Sequence, residues 1–386
     1  MSGRRWRLVA LVGVLALLLG MGPTASGDHE WGWQLLARDV LWDGVEFTIV
    51  QEPAPVRTHV VHVHPGAPVK VRPVVSAGRI GSTREVVSSM CSRVGAIACV
   101  NANFATCWSC HMPHGAVVRK HVFVQSPTDH QYQLKIQDGR MQTGPIEWSA
   151  RLEARRSAGV EVIPITGVNI GTRRDQITLH DKNFGARTGS PAGTVELVVH
   201  APTPQWTGGV RQRATILRLE TGGNAAIPRQ GAVISGSGMG AHVLWAFAMN
   251  NGTVPLDLVV ESPAGLEMAV SGHPTLLENG QATALDPADG KVTGLHPRTL
   301  VGWDDVGSMW FVVVDGHQAH SRGLTLDESR DLLVRLGATH GINLDGGGSS
   351  TMVTSCAQGW CVRNRPSDGR QRLVPVGLAI VPPARW

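Results

Sequence analysis

The sequence predicts a strand-rich α+β fold, a mixed β-sheet with a few helices in a single catalytic domain. Three observations predict it. Gly (46 residues) and Pro (23) are abundant, Val and Thr are common, and only 17% of the 386 residues are charged, a composition that favours strands and loops over helix. From about residue 115 to 270, short apolar segments of strand length alternate with turn residues. Convincing helical spacing occurs in only two places, near Ser82–Val94 and Leu324–Leu336. At this length the chain can bury a large core.

The chain opens with a secretory leader pattern. Arg4, Arg5 and Arg7 precede an uncharged apolar run from Leu8 to Leu19, and Ala25 and Gly27 are small residues ahead of Asp28. That run is shorter than the roughly 20 residues a membrane-crossing helix needs. Residues 1–27 are therefore expected to be removed, leaving a secreted, extracytoplasmic chain without a stable membrane span. Removal takes away three Arg and no acid, so the net charge falls from +5 to +2. No run of Lys or Arg follows that would form a nucleic-acid surface.

Residues 28–79 read as N-terminal strands packed on a catalytic domain at 80–382. Gly44–Val50, Thr58–Val63 and Val69–Val75 are strands. His59, His62 and His64 lie among Val60, Val61 and Val63 and read as a solvated face rather than a metal site. The helix at 82–94 is capped by Ser82 or Thr83. A buried strand, Ala96–Val100, then ends on Asn101-Ala102-Asn103-Phe104. Further strands are expected at Ala116–Val118, Gly159–Ile165, Thr194–His200, Ala214–Leu219 and Val254–Val260, with no helix among them.

The last third carries the strongest signals. An apolar strand, Met309–Val314, ends on Asp315-Gly316, and an amphipathic helix capped by Thr325 leads to a second strand ending on Asp345. Strand, helix and strand over this length form a crossover that brings Asp315 and Asp345 to the same end of one sheet, where ligands bind. After Asp345 come Gly346, Gly347, Gly348, Ser349, Ser350 and Thr351. Three glycines allow positive φ and close approach of backbone to a ligand, and successive amides form an anion nest.

Six cysteines are an even number in an exported chain, which makes disulfides the expectation. Cys356 and Cys361 bracket a short turn and are expected to pair. Cys91, Cys99, Cys107 and Cys110 allow three pairings, which stay open. Cys107-x-x-Cys110-His111 is also the string of c-type haem attachment, and two Cys with two His form a possible zinc set. The absence of a helical bundle and the loop character of Pro113 favour a disulfide over either.

Five segments in order resemble the phosphodiester glycosidase family. They are Val100-Asn101-Ala102-Asn103-Phe104, Pro297-Arg298-Thr299-x-x-Gly302, Val314-Asp315-Gly316, Gly323-Leu324-Thr325-Leu326 and Asn343-Leu344-Asp345-Gly346-Gly347-Gly348-Ser349-Ser350-Thr351. Asn101 to Phe104 stand where that family often has Asn-Gly-Gly/Asp-Phe-Phe. The resemblance implies hydrolysis of a sugar from a phosphate diester at the anomeric carbon, in envelope or exported glycans. It implies a phosphorylated sugar as partner and no cofactor, with a divalent cation on the phosphate left open. On this reading Asp345 is nucleophile or base, Asp315 the second carboxylate and Arg298 the phosphate fork. Asn101, Asn103, His114, Thr299, Asn343, Gly346 to Gly348, Ser349, Ser350 and Thr351 bind sugar or phosphate. The competing readings are a non-catalytic envelope glycan or phosphate binder, and a periplasmic redox protein using Cys107, Cys110 and His111.

Overall fold

The structure is a computed structural model that describes residues 32–81, 85–106, 112–128, 132–202, 206–252 and 254–386. The expected leader, Ser82 and Thr83, and the Cys107–His111 run lie outside the described residues; the helix expected from residue 82 runs Val87–Val94, with Val86 at its N-cap and no side-chain cap. Strands dominate. They form two eight-stranded and two five-stranded sheets, and the helices among the described residues are few.

The sheet that positions the site places Val56–Val63, Met309–Val314, Arg298–Trp303 and His340–Asn343 side by side in that order. Met309–Val314 and His340–Asn343 each pair antiparallel with Arg298–Trp303, so they run parallel to one another with that strand between them. The crossover expected from sequence therefore has the right direction. The intervening strand adds what sequence did not show: Arg298 opens it opposite Val314, so its side chain starts from the edge where both aspartates emerge. The crossover helix, Leu326–Arg335, buries Leu326, Ser329, Leu332 and Leu333. Thr325 caps it with a full capping box. Its hydroxyl accepts from the Glu328 amide at 3.1 Å, and Glu328 accepts from the Thr325 amide at 2.9 Å.

Residues from Ser149–Arg156 to Leu256–Glu261 build the second eight-stranded sheet over a core of their own, including Leu152, Leu179, Leu197 and Ile234. A helix, Met239–Asn251, covers that core, where the sequence led us to expect none. Its sequence MGAHVLWAFAMNN is apolar nearly all round, so the helical period has no polar face to contrast with it.

Two further expectations change. His59 is buried on the opposite side of its strand from His62 and His64 and belongs to no solvated face. Cys356 and Cys361 are bonded (Cα–Cα 6.0 Å), whereas Cys91 and Cys99 are buried free thiols inside a small apolar cluster. Burial, with Cys91 adjoining, pushes the Cys99 thiol up, so it stays protonated. Thr325→Ala removes one half of the capping box and is expected to cost about 1 kcal/mol, read as a lower urea midpoint at unchanged slope.

Candidate functional site

Asp345 sits on the wall of a cavity of about 830 Å³ at the exit of the His340–Asn343 strand. Asn343, Gly346 and Gly347 share that wall, and Arg298 and His296 line it from the head of the neighbouring strand. His114 and His273 also line the cavity, with Asp286, Asp289 and Lys291 from the segment before the Arg298 strand. Phe104, Leu285, Val292 and Leu326 supply apolar surface. A pocket of this size, with apolar surface and convergent polar groups, is the form of a small-ligand site.

The backbone here is fixed mainly by one side chain. Asn101, fully buried at the end of Ala98–Asn101, donates from Nδ2 to the Asp345 carbonyl. Its Oδ1 accepts from the Thr299 hydroxyl at 2.9 Å and from the Thr351 amide at 3.0 Å. Three segments meet on one amide. The Asp345 amide in turn donates to the Ala102 carbonyl at 3.0 Å.

The glycine turn differs from the donor fan that the sequence suggested. The amides of Gly347, Ser349 and Ser350 bond to the carbonyls of Pro297, Gly346 and Gly347, which leaves that of Gly346 on the cavity wall for a ligand. Glycine is needed for fit. A Cβ on Gly346 would meet the Pro297 carbonyl at 2.9 Å, and Gly347 has φ +59°. Asn101, Asn103, Thr299, Gly348, Ser349, Ser350 and Thr351 are buried behind the cavity wall and do not line it. Asn103 donates to the carbonyls of His114 and Ala116 at 2.9 and 3.1 Å, holding the chain that carries His114 to the cavity. Asn343 bonds the His273 carbonyl at 2.6 Å, while its Oδ1 has no protein partner.

Arg298 was expected to fork a phosphate. It lines the cavity, but Nε donates to Leu324 O at 2.8 Å and Nη2 to the carbonyls of Lys291 (2.8 Å) and Gly294 (2.9 Å). Three of its five N–H groups are thus committed to the loop, and the Nη1 pair is left for an anion. Burial lowers its pKa to about 10, so it is still cationic at neutral pH. Burial, then the Arg298 charge and His317, lower the pKa of His296, which stands beside them as a neutral imidazole.

Asp315 lies apart from the cavity. Its Oδ2 accepts from His59 Nε2 and His320 Nε2, both at 3.1 Å, and its Oδ1 from the Arg365 amide at 2.9 Å and Asn364 Nδ2 at 3.3 Å. Asn364 also donates to Ser350 O and accepts from the Met352 amide, so Asp315 braces the far side of the glycine turn. Burial, the largest effect, opposes its charge, yet the bonds from His59 and His320 outweigh it and hold the carboxyl below the usual range. A carboxylate so fully bonded, and outside the cavity lining, is a strut that braces the turn. The carboxylates that share the cavity with Asp345 are Asp286 and Asp289, which sequence reading passed over as loop. His273, Lys291 and His296 were missed for the same reason. The available signal was their position between two strand-end motifs that converge.

Among the described residues no group of three or more His, Cys, Asp or Glu is arranged to hold a metal ion. Two predictions follow from the two struts. Asp315→Asn is expected to lose on the order of 3 kcal/mol, because His59 and His320 lose a buried partner. In the parent, this contribution is full above the unfolded carboxylate's range near pH ~4 and is lost as pH falls through the depressed folded value. Acid unfolding followed by circular dichroism checks it, with the variant showing the shallower acid limb. Arg298→Lys cannot reach three carbonyls and is expected to cost about 1–3 kcal/mol by thermal melting.

Comparison with known proteins agrees with the expected resemblance. Residues 208–381 match the family described as phosphodiester glycosidase. The match leaves out the Asn101 segment. A stretch of 62 residues is 42% identical to bovine N-acetylglucosamine-1-phosphodiester alpha-N-acetylglucosaminidase, and it spans 16% of this chain and 12% of that protein. A crystal structure of a Synechocystis protein superposes with a TM-score of 0.69 at 17% identity, over 87% of this chain and 62% of that one. A Burkholderia pseudomallei protein gives 0.66 at 21% identity, over 87% and 74%. These two likenesses concern the fold alone. The chain is similar to the phosphodiester glycosidase family.

Proposed function

We propose that this chain is a hydrolase that releases a sugar from a sugar-1-phosphate diester of an exported or cell-envelope glycan. The observation that carries the reading is the placement of Asp345, Arg298 and the Gly346 amide around one cavity. A phosphate monoester leaves far more easily than a sugar alkoxide. The bond therefore needs little general-acid help, and needs instead cations and N–H donors on the departing phosphate. Arg298 Nη1 and Lys291 meet that need. Asp345 acts on the anomeric carbon directly or on the attacking water, the pair of roles open to a glycosidase carboxylate. Asp286 and Asp289, rather than Asp315, are the carboxylates able to assist it. Asn343 Oδ1, which has no protein partner, is placed to accept from a sugar hydroxyl, and His114 borders the same cavity.

Support comes from the family match over residues 208–381 together with this geometry. A screen of nitrophenyl and nucleotide sugar-1-phosphodiesters tests it, with Asp345→Asn as matched control. The variant is expected to melt within a few degrees of the parent and lose about 10²-fold or more in rate. Turnover unchanged in Asp345→Asn would remove Asp345 from the chemistry, and ligand binding by both proteins without turnover of any diester would overturn the hydrolase reading in favour of a glycan or phosphate binder.

A further inference from the structure

With Cys356 and Cys361 joined, Cys91, Cys99, Cys107 and Cys110 are left with three possible pairings. The fold narrows them. Cys91 sits in the helix Val87–Val94, and Cys99 in the strand Ala98–Asn101 that follows it. Gly95 ends the helix at φ +61°, and the Ala96 amide returns to the Cys91 carbonyl at 3.0 Å. That left-handed turn folds the strand back against the helix. Along the strand, Ala98 and Val100 face the larger core, so Cys99 between them faces the helix. Val87, Met90 and Cys91 of the helix enter the same small apolar cluster. The two thiols, unjoined in the structure, meet there within hydrogen-bond reach of one another.

Their surroundings suit a structural role. Cys99 lies between Val353 and Ala379 of the flanking strands, and neither cysteine lines the cavity at Asp345. Among the described residues no third His, Cys, Asp or Glu joins them as a metal set. A reactive thiol is partly exposed and has a lowered pKa. Both of these are buried, and burial pushes the Cys99 thiol the other way.

We infer that Cys91 and Cys99 form a disulfide when the chain folds in an oxidising compartment, which leaves Cys107 and Cys110 to pair with each other. The chemistry is exchange with an external disulfide, that of oxidised glutathione or of a dithiol oxidase. The thiolate of one cysteine attacks that disulfide, forming a mixed disulfide and expelling one thiolate. The thiolate of the other cysteine then attacks the first cysteine's sulfur and expels the second. Two protein thiols lose two electrons, the external disulfide is reduced to two thiols, and the two protons pass to them. Exchange precedes closure of the core, because the folded chain encloses both sulfurs. The bond ties the helix to the strand that ends on Asn101, the residue whose amide holds the Asp345 carbonyl.

The test is a peptide map of the purified full chain recovered from a bacterial periplasm and alkylated with iodoacetamide in denaturant without reductant. Trypsin cuts after Arg93 and chymotrypsin after Phe104, which separates Cys91, Cys99 and the segment carrying Cys107 and Cys110. The expected product is a linked pair of fragments, one with Cys91 and one with Cys99, that carries no alkyl group and separates with dithiothreitol. As a second measurement, Cys107→Ser with Cys110→Ser is expected to show no free thiol in denaturant. Alkylation of both Cys91 and Cys99, linkage of either to Cys107 or Cys110, or two free thiols in the double variant would overturn the inference.

Discussion

A single buried amide decides where the backbone of Asp345 stands on the cavity wall. Asn101 offers one donor and one acceptor atom, and it uses them on Asp345, Thr299 and Thr351, residues drawn from two other segments distant in the chain. None of these bonds involves a charged side chain of the cavity. The turn is therefore set before any ligand arrives, at the price of an ordered backbone in a stretch with three glycines. Asp315 does similar work from the other side through Asn364. The polar residues of the family-like segments thus divide into those that meet the cavity and those that hold the first group still.

Much of this division was hidden in the sequence. Strand ends carrying Asn101, Asp315 and Asp345 were legible because apolar runs of strand length stop abruptly on them. Burial was not. Asp315-Gly316 and Asp345-Gly346 look alike as strings, yet one carboxylate is enclosed by two imidazoles and the other faces a cavity. The difference comes from His59, some 250 residues earlier by position, on a strand that pairs with Met309–Val314. Sequence spacing carries no trace of such a partner.

The glycines teach the same lesson in reverse. Their freedom was read as donors for a ligand, whereas most amides of the turn are consumed by neighbouring carbonyls and the missing side chains are needed for close packing on Pro297. Likewise, Asp286, Asp289 and Lys291 sit in a polar loop with no periodicity, so pattern reading had nothing to weigh. The helix Met239–Asn251 was hidden for the opposite reason, being apolar on both faces. In each case the local string fixed what the chain could do, and distant segments chose among the options.

Arg298 joins two events that would otherwise be separate. Its Nε and Nη2 hold the Lys291–Gly294 backbone and Leu324, while its remaining nitrogen borders the cavity. An anion arriving there adds to the forces that keep the guanidinium in place, and so to the order of the segment hung from it. Occupancy and the folding of that short span become two readings of one equilibrium, in which whatever tightens one tightens the other.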